Sequence, residues 1–246
     1  MSVTSIVLAA GVGKRLAGSG HDGPKCLLPM GGVTLLSRTL RACATAGVAD
    51  VVLVTGFMKA AIDAEIAAHP AVLPLRVIEN PRFREGAILS LFAAREALAR
   101  DAIVMDADVL FDPSILADLV ASETSAFLCD ESHPFTGEEM MLHGTRARVT
   151  HIYRGVLPGE RVLGEAVGFT RFSAADARVL EGMLAAAVAS GRTGIEHEEL
   201  FDDFLARCHV AAIPTAGRPW LEIDFAEDVA RAHSEILPAI DRLPRS

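Results

Sequence analysis

"LAAGVGKRLAGSGHDGPKCLLPMGG" (Leu8–Gly32) decides how the rest of the chain is read. It overlaps the end of an apolar run, "SIVLAA" (5–10), which reads as a short buried strand closed by glycine. Its glycines let backbone N–H groups approach an anion with no Cβ in the way, and Lys14, Arg15 and Lys25 add positive charge for the same anion. Asp22 is the one carboxylate in the stretch, in a chain where 32 acidic residues outnumber 23 basic ones. A loop placed after the first strand of an open α/β sheet lies where such sheets bind ligands, beyond the carboxyl ends of the strands. Two common phosphate loops do not fit. "GVGKRL" lacks the third glycine of the dinucleotide fingerprint, and the Walker spacing followed by Lys-Ser/Thr is absent.

Outward from this stretch the chain alternates. "DVVLVTG" (50–56), "LRVIEN" (75–80) and "DAIVMDAD" (101–108) read as strands. Between and after them, residues 34–47, 58–69, 86–99 and 113–122 carry helical apolar spacing, the last with proline at its start. "SAFLCDE" (125–131) is a candidate fifth strand. This rhythm predicts a mostly parallel sheet with helices on both faces. From about Asp130 it changes. Residues 137–156 and 165–173 look like short strands joined by turns, 175–191 and 197–208 like helices, 209–217 and 219–224 like strands, and 225–240 like one closing helix. The expected architecture is one α/β domain over 1–246, Rossmann-like, with a small β-rich capping region in its second half. Its parts divide at about 1–128, 129–215 and 216–246.

With 246 residues and 51% hydrophobic composition, the chain can bury a sizeable core. A net charge of −9 lacks the basic stripe that counterion release on nucleic acid requires, so no nucleic-acid partner is expected. Cys26, Cys43, Cys129 and Cys208 stand far apart without a CxxC pair and read as free thiols in a reducing compartment. No signal peptide is evident, and no apolar run reaches the roughly 18 residues of a membrane span. A cytoplasmic protein without membrane insertion is expected.

"LAAGVGKRL" followed by "PKCLLPMGG" (24–32) resembles the nucleotidyltransferase superfamily of MobA-like and sugar nucleotidyltransferase fold, whose signature is LxAGxGxRx with a downstream PKxLxP. "VMDADVLF" (104–111) resembles the strand whose terminal aspartate holds magnesium there, and "LEID" (221–224) the segment that gives the second metal aspartate. "ENPRFREGAILSLFAA" (79–94) resembles the segment packed near base and sugar. The short length, "GFTRFS" and "EIDFAEDVARA" are most like the small bacterial phosphocholine-type cytidylyltransferases.

The resemblance implies an Mg²⁺-dependent transfer of a nucleotidyl group, CMP from CTP, to a small phosphoalcohol or phosphonate, with release of pyrophosphate. The three parts of the chain then become a nucleotide-binding part, a substrate cap, and a metal segment with its helix. Arg15, Lys25 and Asp108 take the catalytic roles, and Asp108 and Asp224 the metal. Leu8, Ala9, Ala10, Gly11, Gly13, Arg15, Lys25, Asn80, Gly86, Ser90 and Asp106 line the nucleotide. Asp106 and Glu222 each lie two residues before a metal aspartate and read as supporting acids or structural hydrogen-bonders. A phosphate dianion is already nucleophilic, so positioning and charge neutralisation carry the reaction and no general base is needed.

For the acceptor, Glu138, Glu139 and Glu198 stand where the phosphocholine enzymes place aromatic residues, and the chain has one Trp and one Tyr. A quaternary ammonium needs an aromatic box, whereas carboxylates suit a primary ammonium or a polyol. A solvated rim is the plain alternative for these glutamates. "EHEEL" (196–200) lacks the second histidine of HExxH and reads as the charged first turn of a helix. A sugar-1-phosphate or molybdenum-cofactor nucleotidyltransferase, and a nucleotide-binding protein that performs no transfer, are the other readings. A homodimer and the identity of the acceptor are left open.

Overall fold

In a computed structural model, described over residues 2–16, 21–132, 135, 137 and 139–242, strand β1 (Thr4–Ala9) is buried on both faces. Ile6 packs into one apolar layer while Val7 and Ala9 pack into the other. That two-sided burial explains why the run is continuously apolar rather than alternating. After the loop come a two-residue ribbon, β2 (Pro29–Met30) and β3 (Val33–Thr34), and helix α1 (Leu35–Thr45). Thr34 caps α1 by accepting from the Ser37 N–H at 3.1 Å. Then follow β4 (Asp50–Thr55), α2 (Lys59–Ala68), β5 (Leu75–Glu79), α3 (Ile88–Ala93), β6 (Ala102–Asp106), β7 (Val109–Phe111), α4 (Pro113–Ala121) and β8 (Ala126–Asp130). The second half holds β9 (Met140–Thr145), β10 (Arg148–Arg154), β11 (Val162–Phe172), α5 (Ala174–Ala189), α6 (His197–Leu205), β12 (Ala211–Pro214), β13 (Trp220–Glu222), α7 (Ala226–Arg231) and α8 (Leu237–Arg242).

The main sheet runs β10-β9-β11-β6-β1-β4-β5, with β8 joining β11 to β12. Its centre, β6-β1-β4-β5, is parallel, and β11 adds antiparallel pairings to β6, β8 and β9. Side chains of α1, α2 and α4 fill the layer on one face, and those of α3, α5 and α6 the other. From β1 the chain steps outward through β4 and β5, then returns to the opposite side of β1 as β6. The reversal opens a crevice at the carboxyl ends of β1 and β6, where neighbouring connections leave in opposite directions. Both the glycine loop and the Asp106–Asp108 turn emerge there.

Three segments differ from the sequence reading. The helix expected over 86–99 is α only from Ile88 to Ala93. It then tightens into a 3₁₀ turn, Arg95–Ala99, through Ala94 N–H to Leu91 O and Ala97 N–H to Ala94 O. The closing helix is interrupted by a π turn, Ala232–Ile236, ahead of Pro238; the wider turn accommodates a residue with no N–H to give its preceding turn. The strand-like segment at 165–173 is one long strand from Val162, with register irregularities at Val162–Gly164 and Ala166–Thr170 that let it serve three neighbours. Among the described residues, no helix is long and apolar enough to cross a membrane.

Candidate active site

The glycine loop leaves β1 and turns into a short 3₁₀ segment, Lys14–Leu16, closed by Leu16 N–H to Gly13 O at 3.1 Å. Gly13 has φ +64°, and a Cβ there would meet Lys25 Cγ at 3.0 Å. Glycine is therefore needed twice over, for the left-handed turn and for the lysine stem lying against it. Lys25 opens the next 3₁₀ segment, Lys25–Leu27. Across the crevice, β7 and β13 pair antiparallel, and the Ile223 N–H donates to Asp108 O at 3.0 Å. This ribbon brings Asp224 beside Asp108 although more than a hundred residues separate them.

The charged groups converge. Lys25 Nζ donates to Asp108 Oδ2 at 2.9 Å and also to Asp224 Oδ1, and Arg15 Nη1 donates to Asp224 Oδ2 at 2.7 Å. Burial works against the Lys25 ammonium, but Asp108 and Asp224 outweigh it and hold its pKa above the usual lysine value. Glu222 shares the place: one oxygen from each of Asp108, Glu222 and Asp224 lies within 4.8 Å of the others. Burial, then Asp108 and Asp224, push the Glu222 carboxyl well above its ordinary range. Asp106 is raised likewise, by burial first and then by Glu198 and Asp108. Asp106 meets His197 and Glu198 from the first turn of α6, His197 Nε2 lying 3.3 Å from Glu198 Oε1 and 3.7 Å from Asp106 Oδ1.

These groups line a cavity of about 670 Å³. Leu8, Ala9, Ala10, Gly11, Gly13, Arg15, Lys25, Gly86, Ser90, Asp106, Asp108, Glu198 and Asp224, all singled out in the sequence, contribute to its wall. Asn80 does not. It is buried, its Nδ2 donates to Ser90 Oγ at 3.1 Å, and its Oδ1 accepts from the Arg82 N–H at 2.9 Å, so it supports the wall from behind. Gly86 has φ +144° and packs so closely on the Thr193–Gly194 backbone that a Cβ would lie 1.8 Å from Thr193 O. Glu139 is also absent from the wall and neighbours Glu165 instead. Glu138 and the Lys14 side chain fall outside the described residues. His197, Arg84, Arg154, Phe127 and Phe201 line the cavity without having been assigned from sequence. His197 stood in "EHEEL" but read only as a helix start. Arg154 belongs to a strand whose facing is set by pairing, which left no local signal.

A family model described as the MobA-like NTP transferase domain matches residues 5–147. The chain is 29% identical over 243 residues to the bifunctional IPC transferase and DIPP synthase of Rubrobacter xylanophilus, covering 96% of this chain and 52% of that protein. The chain thus spans about half the length of that relative. It is 27% identical over 233 residues to the 2-aminoethylphosphonate cytidylyltransferase of Lancefieldella rimae, covering 92% and 90% of the two chains. Among solved structures it is similar in fold to the inositol-1-phosphate CTP transferase from T. maritima, with TM-score 0.79 at 19% identity over 97% of this chain and 95% of that one.

Proposed function

The chain belongs to the MobA-like NTP transferase domain family, and from that premise we propose that it transfers CMP from CTP to a small phosphoalcohol or phosphonate and releases pyrophosphate. The observation that carries this reading is the convergence of Arg15 and Lys25 on Asp108 and Asp224 at the mouth of a glycine-lined loop. The loop and the two cations suit a triphosphate; the carboxylates opposite suit the cation that accompanies one. The Lancefieldella relative, a cytidylyltransferase matched over most of both chains, favours CTP as donor.

In this reading an acceptor phosphoryl oxygen attacks the α-phosphorus. A new P–O bond forms, the bond to the β-phosphate breaks, and its electron pair leaves with pyrophosphate. Lys25 neutralises oxygens on both reacting groups as they close, and the loop backbone from Ala10 to Gly13 fixes the line of attack. Arg15, half exposed beside Asp224, holds the leaving β and γ phosphates. Asp108, Glu222 and Asp224 bring together hard oxygens of the kind Mg²⁺ takes and would be the residues that hold it. When bound there, the ion supplies further neutralisation of the triphosphate. One sheet runs through both the nucleotide wall and the capping strands, which supports reading the chain as a single domain.

The test is pyrophosphate release from each of four NTPs with Mg²⁺ against a panel of phosphoalcohols and phosphonates. Release with CTP and one class of acceptor, abolished by chelator, is expected. Silence with every donor and acceptor would sink the reading.

A further inference from the structure

We propose that Asp106, His197 and Glu198 form the subsite that receives the far end of the acceptor, and that this end is a primary ammonium. The acceptor is then a short ω-aminoalkyl phosphate or phosphonate. The proposal rests on the nucleotidyl-transfer reading above and narrows its substrate.

The subsite is built rather than incidental. Asp106 can turn its carboxylate into the cavity only because Gly168 stands behind it: Gly168 has φ +81°, in the irregular register of β11, and a Cβ there would lie 2.6 Å from Asp106 Oδ2. His197 is more than nine-tenths buried, lines the cavity, and has no hydrogen-bond partner at Nδ1. Its other nitrogen faces Asp106 and Glu198, and one atom from each of the three lies within 4.8 Å of the others. Lys25 is already held by Asp108 and Asp224, while Arg84 and Arg154 also line the cavity. Two carboxylates gathered in a partly closed wall are costly to keep ionised, so the place is suited to a cation brought by the ligand.

The donor and acceptor inventory selects which cation. A primary ammonium offers three N–H donors to the two carboxylates that converge here, whose oxygens only accept. A quaternary ammonium offers none and needs an aromatic box. Phe83, Phe127 and Phe201 reach the cavity wall, Phe201 packing edge-on against His197 with ring centroids 5.3 Å apart. But Trp220 is buried with its indole N–H on Asp130 at 2.7 Å and Tyr153 is about half exposed and off the wall, so at the cluster it is two carboxylates that are offered to the ligand. A polyol would bring no charge to offset the carboxylates. Asp106 and Asp108 are two residues apart, so their backbones are separated by at most about 7 Å. With the reacting phosphates placed beside Asp108 as proposed above, an acceptor reaching from there to Asp106 needs only a short linker between phosphorus and nitrogen.

The experiment measures pyrophosphate release with CTP and Mg²⁺ for phosphoethanolamine, its N-methyl and N,N-dimethyl homologues, phosphocholine, 2-aminoethylphosphonate and glycerol 3-phosphate. Along the methyl series the charge is constant while N–H donors fall from three to none. We expect kcat/KM to fall at each methylation. Phosphocholine and glycerol 3-phosphate should lie about 100-fold below the better primary amine, the loss of two charge-assisted hydrogen bonds. The two primary amines distinguish phosphate from phosphonate. Glu198→Gln, nearly isosteric, should raise KM for the amine about tenfold and leave KM for CTP unchanged. A flat series, or a preference for phosphocholine or glycerol 3-phosphate, overturns the proposal and leaves nucleotidyl transfer standing. A second Mn²⁺ bound per chain and lost in Glu198→Gln would make the cluster a metal site and overturn it too. Silence with every acceptor and all four NTPs overturns both readings.

Discussion

Lys25 is held by opposite charges on two segments, and its role is testable by itself. Lys25→Ala removes the charge proposed to neutralise both reacting phosphates, so kcat should fall by about 10²–10³ with an unchanged circular dichroism spectrum. Near wild-type turnover would take Lys25 out of the mechanism. Asp108 and Asp224 share the Lys25 ammonium and, with Glu222, one set of converging oxygens. Asp108→Asn and Asp224→Asn should each raise the Mg²⁺ concentration needed for half-maximal rate, and the double variant should lose much less than the product of the single losses. Multiplicative losses would mean that the two do not serve one ion.

Loops and strand irregularities set the shape of the cavity together with α3 and α6, which bring Ser90, His197, Glu198 and Phe201 to its wall. Gly86 meets backbone at Thr193–Gly194, so nothing flexible can yield to a larger residue, and this contact ties the nucleotide segment to the turn that leads into α6. Gly86→Ala should therefore lower Tm and raise KM for nucleotide and acceptor together. Gly11 makes the opposite case: a Cβ there meets nothing within 4 Å in the free protein. Gly11→Ala should leave Tm unchanged while raising KM for the nucleotide, because the added methyl occupies space that the phosphates need. A fall in Tm without a change in KM would show that Gly11 serves the fold instead of the ligand.

The joining of the parallel centre to the antiparallel cap leaves a mark on stability. Glu165, on β11 between β8 and β9, is pushed up to about 8 by burial and then by Glu139 and Asp130, against Arg231. Its ordinary value is near 4.5. Between these values the folded chain holds a proton that the unfolded chain has released, so stability is greatest below about 4.5 and declines as pH rises through about 8. Glu165→Gln cannot ionise and should remove that decline. Thermal melts at pH 5, 7 and 9 should show the variant gaining on wild type as pH rises, and parallel curves would dismiss the assignment. The same two-part sheet places the crevice, since its carboxyl-end reversal lies at β1 and β6, next to the point where β11 begins the cap.

The parallel strands and the charged residues of the cavity were readable along the chain because local features carry them. Apolar runs closed by glycine mark β1 and β4, an apolar run closed by aspartates marks β6, and the spacing of "LAAGVGKRL" and "PKCLLPMGG" marks Arg15 and Lys25. "VMDAD" and "LEID" marked Asp108 and Asp224, though that they touch one cation follows from the β7–β13 ribbon. The rest depends on partners distant in sequence. Asn80 reads locally as a ligand contact, and its amide is tied to Ser90 and to the Arg82 N–H, while Glu139, off the cavity wall, accepts from the Gly137 N–H. The long strand β11 read as a short piece because its irregular register arises from serving three neighbours. Asp106 and His197 are ninety-one residues apart, and nothing local in either segment announces the other. They meet because Gly168 leaves room for a carboxylate and because α6 docks its first turn against the same crevice. A side chain's type and its spacing from neighbours are properties of the chain; which face it presents, and to what, is set by strand register and helix docking, long-range packing energies that short windows of sequence do not contain.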